Sequence, residues 1–136
     1  MRVLTIGTFD MLHEGHINFL KGCRKLARDG SLIVGVNTDE FVTKYKGQAP
    51  VMNRNTRMTV LNAVHYVDEV RPNNEGGKTL IYDVKPTLLV IGTDWAKKDY
   101  YKQIGLTSQQ LESMGVLLVY LPYTEGISTT KLKESL

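Results

Sequence analysis

The sequence has little of several features that would define whole classes of protein. It contains one cysteine, Cys23, so an internal disulfide is excluded and a reducing compartment, the cytoplasm, is expected. It has no apolar stretch near the roughly 20 residues that a membrane-spanning helix needs. The net charge is only +3 and no basic block of five or six residues occurs, so neither a membrane nor a nucleic acid is expected as a partner.

The remaining composition is that of an ordinary globular protein. With 136 residues, 42% of them hydrophobic and 23% charged, the chain fits one domain over residues 1–136, without a linker. The first residues enter a strand-like run directly, so no secretory leader is expected. The small positive charge suits a polyanionic small molecule.

Alternating short apolar runs and amphipathic segments predict an α/β fold. Five runs rich in Val, Ile and Leu predict buried parallel strands at 2–6, 31–36, 68–71, 87–91 and 116–121. Helices are predicted from Gly15 to the Asp29-Gly30 pair, and over 38–44, 55–64, 78–83, 107–113 and from 128 onward. Such a sheet carries helices on both faces and binds ligands at the carboxyl ends of its strands.

The loop after the first strand carries most of the candidate chemistry. Residues 7–16 read GTFDMLHEGH, which brings two glycines and two histidines to the start of a helix. Gly7 and Gly15 allow close backbone approach to a phosphate, and the free amides of a helix start favour an anion. His13 and His16 are three residues apart, on one face of the first turn, so both can donate to one phosphate.

The histidine pair has two other possible interpretations. Zinc-protease helices use the spacing His-Glu-x-x-His, which this loop does not have, and the chain offers only one further histidine and a remote cysteine. Alternatively, both histidines cap the helix or lie at the surface. The loop by itself leaves that second alternative open.

The same loop resembles the cytidylyltransferase family, whose first signature, GTFDxxHxGH, it matches completely. A second family signature, RTEGISTT, is reproduced from Thr124 onward as TEGISTT. Stretches at 37–41, 44–47, 66–70 and 92–95 also look like the family, so the resemblance covers nearly the whole chain. Within the family, the members that act on glycerol 3-phosphate are the most similar.

The resemblance implies a single Rossmann-like domain, usually a homodimer. It implies that CMP passes from CTP to a small phosphorylated acceptor, with Mg²⁺ entering through the CTP phosphates and no metal ligand from the protein. Its catalytic residues would be His13, His16, Lys44 and Arg57. Its nucleotide contacts would be Gly7, Thr8, Phe9, Gly15, His16, Asp94, Thr124, Gly126, Ile127, Ser128 and Thr129. Its acceptor contacts would be Asp10, Lys44, Arg57 and Trp95.

Each of these roles has a plainer alternative. Ser128 can simply cap an end helix, and Lys44 and Arg57 can be solvated charges on a helix face. A lone tryptophan such as Trp95 is more often part of a core. The sequence also departs from the family pattern, since Tyr123 replaces an arginine whose charge Arg54 or Lys97 would have to supply. The segment 97–106 is longer than in the glycerol 3-phosphate members.

Several functions therefore remain open at this point. The favoured one is cytidylyl transfer to glycerol 3-phosphate. A sugar or heptose phosphate or an amino-alcohol phosphate is an alternative acceptor, since all present the same phosphate dianion. Adenylyl transfer to a phosphorylated cofactor and non-catalytic nucleotide binding are the remaining alternatives.

Overall fold

The computed structural model of the protein describes residues 1–94 and 98–122. Within them, five strands alternate with six helices. The strands are β1 (Arg2–Gly7), β2 (Ser31–Asn37), β3 (Glu69–Asn73), β4 (Leu88–Gly92) and β5 (Leu117–Leu121). The helices are α1 (Glu14–Ala27), α2 (Asp39–Lys46), α3 (Arg54–Asn62), α4 (Lys78–Val84), α5 (Tyr100–Ile104) and α6 (Ser108–Ser113).

The five strands form one parallel sheet in the order β3-β2-β1-β4-β5. Val3 of β1 is paired with Leu32 of β2 on one side and with Leu88 of β4 on the other. The chain runs outward from β1 to β3 and then crosses back to β4, so the order reverses between β1 and β4. Ligands bind at such a reversal because the loops leaving the two strands diverge there.

Side chains alternate between the two faces of the sheet and build a core on each. Val3, Val34 and Val90 pack with α1 and α3, while Leu4, Ile33 and Leu89 pack with α4, α5 and α6. Both faces are therefore covered by helices, and β4 is buried along its whole length. The predicted α/β fold with a five-stranded parallel sheet is confirmed.

The predicted strand and helix boundaries agree with the structure to within a few residues, and one helix was not predicted. The helix predicted over 38–44 begins one residue later, because Thr38 caps it by accepting a hydrogen bond from the amide of Phe41. Helix α5 was not predicted, and it lies inside the long segment 97–106. The helix predicted from 128 onward lies outside the described residues. No helix in the described part of the chain is long and apolar enough to cross a membrane.

Candidate active site

A cavity of about 900 Å³ opens at the carboxyl ends of β1, β2 and β4. This is where the reversal in strand order predicts a ligand site. Of the residues predicted from sequence, seven line the cavity wall together: Gly7, Thr8, Phe9, Asp10, His13, His16 and Asp94. The wall also contains residues for which no role was predicted, among them Asn37, Tyr45, Lys46, Lys98 and Gln103.

The two histidines form a stacked pair at the start of α1. Their ring centroids are 3.9 Å apart with an interplanar angle of 28°. Nδ1 of His13 accepts a hydrogen bond from the amide of Gly15 at 3.1 Å, and the amide of His13 donates to Nδ1 of His16 at 3.2 Å. Each ring is thus fixed by a backbone group of the helix start. The histidines cap the helix and line the candidate site at the same time.

These two hydrogen bonds determine which nitrogen of each ring carries the proton. A backbone amide can only donate, so each Nδ1 must present a lone pair. The neutral imidazoles therefore carry their hydrogens on Nε2, and both rings line the cavity. The helix start in this way fixes the Nε2–H tautomer of two histidines that line the cavity.

Burial keeps both histidines neutral. The pKa of His16 is lowered to about 4, chiefly by desolvation; the nearby His13 adds to the lowering and the charge of Asp10 opposes it. Desolvation also lowers the pKa of His13. At neutral pH the pair consequently acts as hydrogen-bond donors without a full positive charge.

The loop between β1 and α1 is shaped by two residues with positive φ, Phe9 at 52° and Met11 at 50°. This backbone turns the Phe9 ring inward, where it lies 5.6 Å from the His16 ring. A Cβ on Gly7 would lie 2.9 Å from Cε2 of Phe9. Glycine is therefore needed at position 7 for the aromatic ring to pack there.

Gly15 contributes to the site indirectly. Its amide donates to His13, and Gly15 does not line the cavity, so its predicted direct contact with the nucleotide stays a prediction. What Gly15 provides is the orientation of the His13 ring.

Arg57 does not line the cavity, so the structure gives no support to its predicted phosphate contact. Its side chain has no exposed surface. Nε donates to the carbonyl of Met52, Nη1 donates to the carbonyls of Thr8 and Asn37 at 2.8 Å each, and Nη2 donates to Asp39 at 2.6 Å. Arg57 therefore supports the ends of β1 and β2 from behind the site.

Asp10 lines the cavity and also holds part of the scaffold. Its two carboxylate oxygens accept the amides of Val51 and Met52 at 2.7 and 2.9 Å, and the residue is 5% exposed. A carboxylate held this way fixes the segment between α2 and α3 against the loop after β1. The acceptor contact predicted for Asp10 stays a prediction.

Two lysines of α2 differ in their position relative to the cavity. Lys44 is exposed and does not line the cavity, whereas Lys46 does. The two lysines are two residues apart on α2, so they lie on different sides of the helix. Trp95, Lys97, Tyr123 and the predicted contacts at 124, 126, 127, 128 and 129 lie outside the described residues.

The described part of the chain contains no group of three or more His, Cys, Asp or Glu residues arranged to hold a metal ion. Asp94 supplies an exposed carboxylate at the wall, while both oxygens of Asp10 are already engaged by amides. Mg²⁺ commonly binds through substrate phosphates and one or two carboxylates, and this arrangement is compatible with that pattern.

Fold and site together define a phosphate-handling α/β enzyme with a histidine pair at a helix start. A family model described as cytidylyltransferase-like matches residues 4–135. The chain belongs to this family, which confirms the resemblance and the predicted class, a nucleotidyltransferase of the cytidylyl type.

Several known proteins are similar to this chain over most of its length. Glycerol-3-phosphate cytidylyltransferase of Bacillus subtilis (strain 168) is 41% identical, over 99% of this chain and 96% of its own length. The bifunctional protein HldE of Actinobacillus pleuropneumoniae serotype 5b (strain L20) is 39% identical over 96% of this chain, which spans 26% of that protein. The crystal structure of the lipopolysaccharide core biosynthesis protein from Thermoplasma volcanium GSS1 is 27% identical and superimposes with a TM-score of 0.72, covering 91% of this chain and 96% of that one.

Proposed function

We propose that this protein transfers CMP from CTP to glycerol 3-phosphate. The observation that carries the proposal is the stacked pair His13 and His16, whose Nδ1 atoms are both engaged by the helix backbone. The similarity to a glycerol-3-phosphate cytidylyltransferase over nearly the full length of both chains supports the choice of acceptor.

In the proposed reaction, a phosphate oxygen of glycerol 3-phosphate attacks the α-phosphorus of CTP. A new P–O bond forms, and the bond from that phosphorus to the bridging oxygen of the β-phosphate breaks. The leaving oxygen takes the bonding electron pair, so pyrophosphate departs and CDP-glycerol is formed. Such a transfer requires positioning and charge stabilisation more than covalent chemistry from the protein.

The histidines would stabilise the charge that develops on the α-phosphate oxygens. Their Nε2–H groups are fixed before the substrate binds, so no reorganisation is needed during the reaction. Because both histidines are neutral, they can bind the phosphate without forming an ion pair that would hold the product. Lys46 is the cationic side chain of α2 that lines the same cavity, and we assign it the phosphate contact predicted for Lys44.

Mg²⁺ is proposed to enter with CTP, bound to its phosphates. Asp94 is the exposed carboxylate of the described wall that is placed to join it. The ion would neutralise charge on the leaving pyrophosphate.

A homodimer in the cytoplasm is proposed as the working form. Leu117 and Tyr120 of the edge strand β5 are 63% and 40% exposed, and the thiol of Cys23 is free and buried. Light scattering coupled to size exclusion checks the assembly, and a monomer at micromolar concentration would exclude the dimer.

The function is tested by pyrophosphate release with purified protein, Mg²⁺, CTP or ATP, and a panel of phosphorylated acceptors. CTP-dependent release with glycerol 3-phosphate is expected. His16→Ala should lower kcat by about 100 to 1000-fold, the usual effect of removing one fixed donor. His65→Ala is the matched control, because His65 is exposed on the helix-to-strand connection and should retain full activity.

Other outcomes would change the assignment in defined ways. Release with ATP but not with CTP would make the protein an adenylyltransferase. Release with CTP and only a sugar phosphate would keep the reaction and change the acceptor. Full activity in His16→Ala would refute the role given to the histidine pair.

A further inference from the structure

The cavity wall contains a pair of hydroxyl groups that the proposed chemistry does not use. Oγ1 of Thr8, just after β1, and Oη of Tyr45, near the end of α2, are 3.2 Å apart. Nδ2 of Asn37 lies 3.4 Å from each of them. All three residues line the cavity.

A buried amide relay sets the direction of these hydrogen bonds. Nδ2 of Asn73 donates to the carbonyl of Glu75, and a backbone carbonyl can only accept, so the orientation of the Asn73 amide is fixed. The same Nδ2 donates to Oδ1 of Asn37 at 3.0 Å. Asn37 must therefore turn its NH₂ group toward the hydroxyls of Thr8 and Tyr45.

The relay leaves a defined hydrogen-bonding capacity in the hydroxyl pair. The two hydroxyls together have two hydrogens and four lone pairs. Asn37 occupies two lone pairs, and the bond between the hydroxyls uses one hydrogen and one lone pair. Within the described part of the chain, neither hydroxyl makes a further hydrogen bond. One O–H donor and one acceptor lone pair therefore remain. A neutral alcohol fits this pair, because its hydroxyl group can accept from the remaining O–H and donate to the remaining lone pair.

Two neighbours of Tyr45 further restrict which groups can bind to the hydroxyl pair. The Phe41 ring packs against it at 4.8 Å between centroids, which limits the orientations of the phenol. Nζ of Lys46 lies 5.6 Å from the centroid of the Tyr45 ring. An ammonium group brought to this wall would meet a like charge and could use only the single acceptor site.

We infer that Tyr45 is a specificity-determining residue, and that with Thr8 it receives a neutral hydroxyl of the acceptor substrate. The acceptor class is a hydroxylated phosphate ester, in preference to an amino-alcohol phosphate or an alkyl phosphate. This inference rests on the proposed transferase function, and it extends that function to the part of the acceptor away from its phosphate.

The test compares Tyr45→Phe with wild type on four acceptors: glycerol 3-phosphate, a hexose phosphate, ethanolamine phosphate and propyl phosphate. The variant removes only the hydroxyl. For the preferred hydroxylated acceptor, kcat/KM should fall about tenfold through a higher acceptor KM. The KM for CTP and the kcat/KM for propyl phosphate should change little. Tyr82→Phe is the matched control, because Tyr82 is an exposed tyrosine of α4 outside the cavity wall.

Each result bears on the inference separately from the proposed function. An equal loss with glycerol 3-phosphate and propyl phosphate, or a wild-type preference for ethanolamine phosphate, would overturn the role of Tyr45. Turnover of the hexose phosphate alone, with the selective loss in Tyr45→Phe, would overturn glycerol 3-phosphate as the acceptor and support the inference. A thermal melt of Tyr45→Phe matching wild type within a few degrees is expected, since the side chain is 36% exposed.

Discussion

Arg57 provides the sharpest test of how the site is held in place. Its fully buried guanidinium satisfies three backbone carbonyls, those of Thr8, Asn37 and Met52, and pairs with Asp39. A fully buried acceptor left without a partner costs about 1–3 kcal/mol, and the carbonyls of Thr8 and Met52 cost less because their bonds to Arg57 are only part-buried. Asp39 is 37% exposed, so water screens its loss and the ion pair adds little. Arg57→Met is therefore expected to lower the free energy of unfolding by about 3–5 kcal/mol.

Urea unfolding followed by circular dichroism measures this change. The control is Arg71→Met, which breaks the surface pair between Arg71 and Glu69 and should cost less than about 1 kcal/mol. Arg57→Lys should recover only part of the loss, because an ammonium cannot reproduce the planar fork of a guanidinium. A loss in Arg57→Met no larger than that in Arg71→Met would refute the assignment of Arg57 as the support of the loop.

Three further predictions concern single groups. Because the pKa of His16 is about 4 in the folded protein and 6.5 when unfolded, its contribution to stability is complete above pH 6.5 and is lost as pH falls toward 4. Between pH 7 and 4.5 the unfolding free energy should fall by about 2 kcal/mol more in wild type than in His16→Asn. Burial raises the pKa of the Cys23 thiol to about 12, so Ellman's reagent should react with it only at the rate of unfolding, and rapid labelling of native protein would contradict its burial. Asp10→Asn leaves one of the two amides at 51–52 without an acceptor, so we expect about 1–3 kcal/mol of destabilisation by urea titration; exposed Asp29→Asn should cost less than about 0.5 kcal/mol.

The regular elements and the histidine pair were accessible from sequence because their signals are local. Apolar runs marked all five strands, and the spacing of His13 and His16 depends only on the first turn of α1. Helix α5 was missed because its five residues are too few to show a helical period.

The residues whose placement differs from what the sequence suggests are those whose surroundings depend on distant parts of the chain. Arg57 looks like an exposed helical cation until the carbonyl of Thr8, 49 residues earlier, is placed beside it. Lys44 and Lys46 are equivalent in sequence, and only the packing of α2 decides which one reaches the cavity. Tyr45 carried no local signal, since its partners come from the ends of two different strands.

The sequence by itself determined the class of fold and the position of the two histidines at a helix start, because these follow from hydrophobic period and from contacts within one helical turn. Only the tertiary structure decided which charged side chains line the cavity and which hold the scaffold. The reason is that burial and hydrogen-bond partners are set by the order in which the strands assemble, and a parallel sheet brings together loops that are far apart in the chain.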